Sequence, residues 1–409
     1  MTGAGLPTAG PSIQHQSTAQ PARPGISRRQ VLKWAGIGGG AIVVLGGAGV
    51  AIRAYDQGVF SVGDGAAYEA WDSWNEGTPP MSLVRAALLA ASAHNTQPWL
   101  FRIAQDRIDL YADIGRNTGA LDALRREMYV SLGCALENLC VAAAAAGLTP
   151  AVTLLPEADN AAVASVALAA GPVRDTDLYQ AIPNRHTNRH SFKPSEVNVD
   201  TLQQLSGLNS ESELQLLWLT STSDKRQFSD LTIAATEAFI ADREQSEASH
   251  AWFRSDWDAV QHNKDGLTLD TAGLSGFTTV LAKILPATSM GQANESFLSS
   301  TRDTHLPTAA AFGLIVAADR NDRRSQLLAG RLYQRTHLAA TDLGLAMQPL
   351  NQVVERADRE KQLGIAATFG DSLAQLTPDG LQTIMPFRIG YPKDNANRSP
   401  RRPAEEVLG

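Results

Sequence analysis

The 409-residue chain has almost no cysteine: there are two, Cys134 and Cys140. They lie six apart on one predicted helix, so they point to different faces and cannot bridge each other. This excludes a disulfide framework and a cysteine-based metal site. Positive charge is not in surplus either, the formal net charge being -7. Without a basic face, a long phosphate footprint has nothing to rest on, and nucleic acid is not an expected partner. No Ser-His-Asp order with a G-x-S-x-G elbow is present, which weakens hydrolase readings. What the chain does have is apolar residues, 44% of the total, enough for a large core and about two domain-sized units.

Residues 1–26 are rich in Gly, Pro, Ser, Thr, Gln and Ala without periodicity and read as a disordered leader. Residues 27–53 differ sharply. Ser27-Arg28-Arg29-Gln30-Val31-Leu32-Lys33 precedes a charge-free run, Trp34–Ile52, that contains seven glycines. Paired arginines before such a run resemble a twin-arginine export signal, with Val31 where Phe is more usual. The implied partner is the twin-arginine translocase, and the body is expected outside the cytoplasm; a basic patch before any apolar helix would also anchor a chain without that receptor. As a helix the run would extend about 28 Å, near the ~30 Å hydrocarbon thickness. It is either removed or kept as a single span with Arg28, Arg29 and Lys33 inside, and no clean Ala-x-Ala site follows it. Gly36-Ile37-Gly38-Gly39-Gly40-Ala41 fits a dinucleotide pattern but follows no strand, so it is rejected as a Rossmann turn. Twin-arginine substrates cross folded, a route suited to carrying a non-covalent cofactor.

Residues 54–80 read as a linker whose Tyr55, Tyr68, Trp71 and Trp74 either pack on the body or lie at a membrane interface. A first half, 81–183, holds an apolar helix ending in Ser92-Ala93-His94-Asn95-Thr96-Gln97-Pro98-Trp99. That helix-to-strand turn carries two amides able to read a heterocycle edge, with Pro98 fixing the chain between them and the strand. A hairpin, Leu100–Ile103 and Ile108–Tyr111, precedes a long helix from about Arg126 to Ala146, capped by Gly147. Ala151–Leu155 and Val163–Ala169 read as short strands. The second half, 184–409, opens on Asn184-Arg185-His186-Thr187-Asn188-Arg189-His190, a compact anion grip. His186 and His190 would suit a metal on a helix, but no carboxylate or cysteine accompanies them, so no metal is expected. Then come a helix near Val199–Leu205, a strand at Leu214–Leu219, a long helix from about Asp224 to Arg243, an irregular lid candidate at 252–300, a strand at Phe312–Ala317 and a helix at Ser325–Leu343. That last helix repeats the earlier one: a shift of 197 brings Gly133 onto Gly330, Ala142 and Ala143 onto Ala339 and Ala340, and Gly147-Leu148 onto Gly344-Leu345. The expected fold is α+β, two similar halves forming a single-chain pseudo-dimer around central helices.

The HNTQPW turn, the R-x-T-x-R tract, the A-A-x-x-L-G-L helix end with Met347-Gln348-Pro349-Leu350 after it, and the terminal Ser399-Pro400-Arg401-Arg402-Pro403 together resemble the nitroreductase superfamily. More narrowly they are similar to its Acg-like branch of internally duplicated FMN-binding oxidoreductases. The resemblance covers about Tyr68–Leu408. It implies FMN as cofactor in one composite site per chain. Ser92, Asn95 and Gln97 are then contacts to ribityl or ring edge, Arg185, Thr187, Arg189, Arg401 and Arg402 phosphate ligands, and Gln348 and Pro349 neighbours of the ring. His94 stands where other members often have a small residue, pointing at the flavin or outward. The chemistry would belong to flavin N5 and not to a protein nucleophile. The implied function is an exported or anchored oxidoreductase passing hydride or electrons to a small nitro or quinone-like acceptor, with NADPH or a quinol as donor. The alternative is a flavin-storage protein with a closed site. A duplicated chain is expected to be a monomer.

Overall fold

The computed structural model describes residues 47–409 apart from 158, 160 and 175. The leader, the twin-arginine tract and the first part of the apolar run lie outside the described residues. Contacts divide the chain into Met1–Val50 and a compact unit Ala51–Gly409, which holds all of the architecture that follows.

Two antiparallel four-stranded sheets flank a pair of helices. The first sheet has the order β1-β2-β4-β3, from β1 Trp99–Ile103, β2 Arg107–Ala112, β3 Leu148–Leu154 and β4 Ala162–Ala170. Its β1–β2 hairpin pairs Trp99 with Ala112 and Ile103 with Ile108. The second sheet draws on β5 Leu214–Leu219, β8 Ala311–Ala317, β9 Ala346–Pro349 and β10 Gln382–Gly390, in the order β5-β8-β10-β9. A short parallel pair, β6 Phe253–Arg254 and β7 Leu267–Thr268, lies between β5 and β8 in sequence. All of β8 and nearly all of β10 are buried, which is why β8 reads as an unbroken apolar run. β10 eludes that reading because Thr383, Pro386 and Arg388 interrupt its pattern.

The helices Arg126–Ala145 and Arg323–Asp342 are each 20 residues long and start 197 positions apart. They cross at their glycines. A Cβ on Gly133 would stand 2.1 Å from the Leu327 carbonyl oxygen, and one on Gly330 would stand 2.0 Å from the Val130 oxygen. Leu327 is itself 197 positions after Val130, so the two contacts are reciprocal, as a local two-fold axis requires. Around the crossing, Arg331 and Arg335 donate to the Glu137 carboxylate at 2.9 and 2.6 Å, and Gln334 donates to Asn138 at 2.8 Å. Among the described residues, Arg126–Ala145 is the one helix long and apolar enough to cross a membrane, yet 83% of that stretch is buried. It is the core's axis. The C-caps Gly147 and Gly344 have φ of +75° and +71°, the left-handed geometry that glycine supplies cheaply.

Two expectations need correction. Residues 54–80 belong to the body and are not a linker, with Tyr68, Trp71 and Trp74 packed on it as one of the two alternatives had it: Ala67, Tyr68 and Trp71 are buried, and Trp74 packs on Tyr179. The segment 252–300, read as irregular, contains three helices, Trp257–Asn263, Gly276–Ile284 and Met290–Ser300. Each starts on a residue whose side chain accepts from the first turn, Asp256, Ser275 and Ser289. Those caps are the helix signal, hidden by the surrounding Ser, Thr and Gly.

Candidate functional site

Beside the two central helices, three separate stretches converge. The turn 92–97 is pinned by both central helices: Ala93 N–H donates to Ser131 Oγ at 3.0 Å and Ala91 N–H to Gln334 Oε1 at 3.2 Å. The tract 185–189 runs along β9, with a bridge from Thr187 to Met347 and a bond from Asn188 N–H to the Met347 carbonyl at 3.1 Å. The tail returns to the first sheet, where Phe101 N–H donates to the Val407 carbonyl at 2.7 Å, and this carries Arg401 under the turn. Arg401 N–H in turn donates to the Ala67 carbonyl at 2.7 Å. The site is therefore built by the fold as a whole.

Backbone strain gathers in the turn. His94, Asn95 and Gln97 have φ of +46°, +54° and +51°, a left-handed region that costs side-chain-bearing residues about 1–3 kcal/mol each. The surroundings hold it there: Gln97 N–H donates to Ser92 Oγ, Asn95 Nδ2 to the Pro400 carbonyl at 2.8 Å, and Gln97 Nε2 to the Lys264 carbonyl at 2.8 Å.

Between these stretches lies a polar cavity of about 40 Å³, lined by Ser92, Asn95, Arg185, Thr187, Arg189 and Arg401 together with His186, Thr271, Asn397 and Ser399. That is room for a few water-sized groups, the size of a phosphate. Six of the expected site residues thus share one cavity. The other five stand apart from it. Gln97 accepts from Arg402 N–H at 2.8 Å, and Arg402 reaches the Gln97 and Glu406 carbonyls. Gln348 accepts from Arg388 Nε at 2.7 Å, with Pro349 beside it on β9. His94 Nε2 lies 2.9 Å from Ser249 Oγ.

The electrostatics of the cavity are one-sided. Arg185 and Arg401 are each 2% exposed and Arg388 is 0% exposed. Arg185 donates to the Leu89 carbonyl and lies 3.5 Å from His337 Nδ1. Arg401 reaches Asn95 Oδ1, Ser399 Oγ and the Pro400 and Ala90 carbonyls. Arg388 reaches the His305, Asn188 and His190 carbonyls, and Arg189 reaches that of Thr271. Among the described residues none of the four arginines has a carboxylate partner. The Nε atoms of Arg185 and Arg401 lack any acceptor, as do His337 Nε2 and the Tyr333 hydroxyl. Burial lowers Arg189 to about 10 and Arg388 to about 9, both still charged at neutral pH. The histidines answer in kind: burial, then nearby arginine charge, takes His94 to about 4 and His186 to about 3, and pushes His305 and His337 well below the usual range.

The sequence motifs did not point to Arg388, His305, Tyr333 or His337, which sit inside a strand and helices without a local signature. Trp71, which packs against three lining residues, was also missed. Its ring lies 5.0 Å from the Arg401 guanidinium and 4.7 Å from the His186 ring, and its indole N–H donates to the Ser399 carbonyl at 2.8 Å. Segment 264–271 meets the turn through the Gly266 and Lys264 carbonyls and Arg189 through the Thr271 carbonyl.

Fold and site together define an α+β chain with a small, cationic, phosphate-sized cavity beside its central helices. No family model matches it. In sequence it is similar to two Mycobacterium tuberculosis proteins, each named as a candidate NAD(P)H nitroreductase, with 22% identity over 329 residues, 80% of this chain and 89% of each relative. Among solved structures it is similar to the FMN-dependent nitroreductase NfnB of Mycobacterium smegmatis in complex with NADPH (18% identity, 56% of this chain and 96% of that one, TM-score 0.35). It is also similar to a nitroreductase with bound FMN from Desulfitobacterium hafniense (14% identity, 58% and 98%, TM-score 0.33).

Proposed function

We propose that the chain is an FMN-dependent oxidoreductase of nitroreductase type, of the Acg-like branch, with its body held outside the cytoplasm by the twin-arginine segment. The observation that carries the cofactor is the set of cavity-lining arginines without a carboxylate, Arg185, Arg189 and Arg401, with Arg388 near enough to add its charge to that of Arg189. A buried charge left unpaired costs several kcal/mol, and a phosphate dianion supplies the countercharge that the protein withholds. The orphaned Nε atoms of Arg185 and Arg401 fit such a group. Arg185, Arg189, Arg401 and Thr187 would hold the phosphate, and Ser92 and Asn95 the polyol beside it. When bound, the flavin supplies two-electron chemistry, including hydride transfer. The protein's part is to bind, orient and exclude water. Arg185 and Arg401 fix the phosphate from opposite stretches, the strained turn holds Asn95 against the tail, and neutral His186 adds no further positive charge. The small-molecule acceptor would be nitro or quinone-like, with NADPH or a quinol as donor.

The test is a comparison of FMN with riboflavin on the purified full chain. Loss of several charge-assisted hydrogen bonds, each worth about 1.5–3 kcal/mol, predicts at least tenfold weaker binding of riboflavin. A colourless protein that gains no thermal stability from FMN, or one that binds both ligands equally, rejects the reading.

One observation favours a second reading, a flavin-storage protein. The cavity, about 40 Å³, is far below the roughly 300–1,000 Å³ of a typical ligand site, and Leu267 and Thr271 are among its walls. Bleaching of the bound flavin by dithionite but not by NADPH or a quinol would select storage over turnover.

A further inference from the structure

The segment between Asp270 and Glu295 carries a single charged residue, Lys283. That lysine is turned inward: it is buried, donates to Asp270 Oδ2 at 2.7 Å and to the Gly58 carbonyl at 3.2 Å. The helix Gly276–Ile284 is thus left with no outward charge. Its Phe277, Val280, Leu281 and Ile284 follow the i, i+3, i+4, i+7 spacing of one apolar stripe. Phe277 is 44% exposed and Leu285, just beyond the helix, 51%.

A second apolar strip adjoins the first. Ile52, Phe60 and Val62 are exposed. The Lys283–Gly58 bond ties the 58–62 turn to the helix, and Arg53 donates to the Ile284 and Leu285 carbonyls. Phe60 and Phe277 are the two exposed phenylalanines among the described residues. Arg53 is also the first charge after the run Trp34–Ile52. Arg53, the residue that follows that run in sequence, is therefore held at the C-terminal end of Gly276–Ile284.

We propose that this face, formed by Phe277, Leu281, Leu285, Phe60 and Ile52, lies in the interface of a lipid bilayer. The proposal rests on the anchored reading of residues 34–52. An interfacial helix usually joins a large apolar stripe to a Lys/Arg-rich polar face that attracts anionic lipid. Here the polar side is Ser, Thr and Gly, so attachment works by inserting apolar side chains and does not depend on anionic headgroups. The occupant is fixed by continuity: a run that ends at Ile52 brings lipid to the residues beside Arg53 before any other partner can reach them. The same segment continues back into Leu267 and Thr271, two walls of the cationic cavity. Docking would place that wall at the membrane surface, where a quinone-like acceptor is most concentrated.

The experiment uses the full chain reconstituted into vesicles of phosphatidylcholine, alone and with phosphatidylglycerol. Phe277→Cys and, independently, Leu285→Cys are labelled with an environment-sensitive fluorophore, and Ser212→Cys, an exposed turn position, serves as the aqueous reference. Cys134 and Cys140 are buried and their thiols are pushed up to about 12, so they stay unlabelled. The expected result is a several-fold fluorescence rise at positions 277 and 285, quenched by nitroxide-bearing lipid and not by iodide, equal in both vesicle types. Ser212→Cys should show the reverse. A chain retained on vesicles whose labels at 277 and 285 answer only to iodide overturns the face and leaves the anchor standing. A chain not retained overturns both. Disulfide-linked dimers through position 277 would show that a second copy covers the face, and would also overturn the proposal.

Discussion

Arg126 and Arg185 are equally inaccessible, at 0% and 2% exposure, yet they sit in opposite kinds of surroundings. Arg126 donates to Asp358 at 2.8 Å, to Glu127 at 3.2 Å and to the Ile384 carbonyl at 2.8 Å, while Arg320 takes the other oxygen of Asp358 at 3.0 Å. Asp122 and Glu355 stand close by, the former capping the Glu127 and Met128 amides. Two arginines thus face four carboxyls. Burial and then the Glu127 charge lift Asp122 to about 7, and the same causes hold Glu355 well above the ordinary range. The acidic cluster neutralises itself by keeping protons. Arg185, Arg189, Arg388 and Arg401 have no such recourse, because a guanidinium does not give up its proton at physiological pH. The difference is what the proposed function rests on: a cluster that can balance its own charge needs no ligand, whereas the arginine cluster would be completed by the phosphate proposed for it.

The sharpest way to break this comparison is to exchange the fates of the two arginines. Arg126→Ala strands Asp358 and Glu127 in the core and should cost about 3–5 kcal/mol in denaturant unfolding, with or without FMN. Arg185→Met removes a charge that has no partner in the apoprotein. Its stability without ligand should be unchanged or higher, while FMN affinity falls by about 1.5–3 kcal/mol, roughly tenfold or more by flavin fluorescence titration. Equal destabilisation by both substitutions would erase the distinction. A saturating ligand should add about 2.7 kcal/mol at a hundred times its Kd, a gain that Arg185→Met should lack at the same FMN concentration. At the helix crossing, Gly133→Ala and Gly330→Ala should each cost about 1–3 kcal/mol, since either Cβ would meet a backbone oxygen near 2 Å. Their values should be similar to each other, as the reciprocal contacts demand; a large inequality would argue against the local two-fold geometry.

Much of the scaffold was legible because it rests on local rules. The Gly147 and Gly344 caps, the long helices and the apolar strand β8 declare themselves by spacing and breakers. The grouping of Arg185, Thr187 and Arg189 at one cavity was legible too, since they lie together in sequence, and Arg401 stands in an evident basic tail. Arg388 was not. It occupies a strand position where only the fold shows that its neighbours are carbonyls and the Phe192 ring, 4.0 Å away. Asn95 and Gln97 illustrate the opposite limit. Their chemistry was read correctly as amide donors and acceptors, but in the structure those groups serve the tail and the 264–266 segment, partners about 170 and 305 positions away. Amide capacity is visible in a sequence; what satisfies it at long range is not.

The smallest effect is set by protons, and it tests whether the two clusters act against each other. His305 and His337 are 3% and 0% exposed and are held neutral in the fold. A histidine with a depressed pKa binds a proton more readily unfolded than folded, so below its ordinary value near 6.5 the unfolded state gains protons and stability falls with pH. Each contributes a loss of up to about 1.4 kcal/mol per pH unit as pH drops from 6.5 toward its folded pKa. Glu355 has the contrary sign. Its raised pKa means the folded state holds a proton that the unfolded chain has released, so between its unfolded value and its folded one stability rises as pH falls. In the wild type the two trends partly cancel between pH 6.5 and 5. Glu355→Gln removes the proton-holding carboxyl while keeping its shape, and the acid side of the stability profile should steepen by on the order of 1 kcal/mol per pH unit in urea unfolding. His337→Gln should make it shallower by a similar amount. Superimposable profiles for wild type and Glu355→Gln would mean that the acidic cluster does not hold the proton assigned to it, and that its balance with Arg126 and Arg320 is struck some other way.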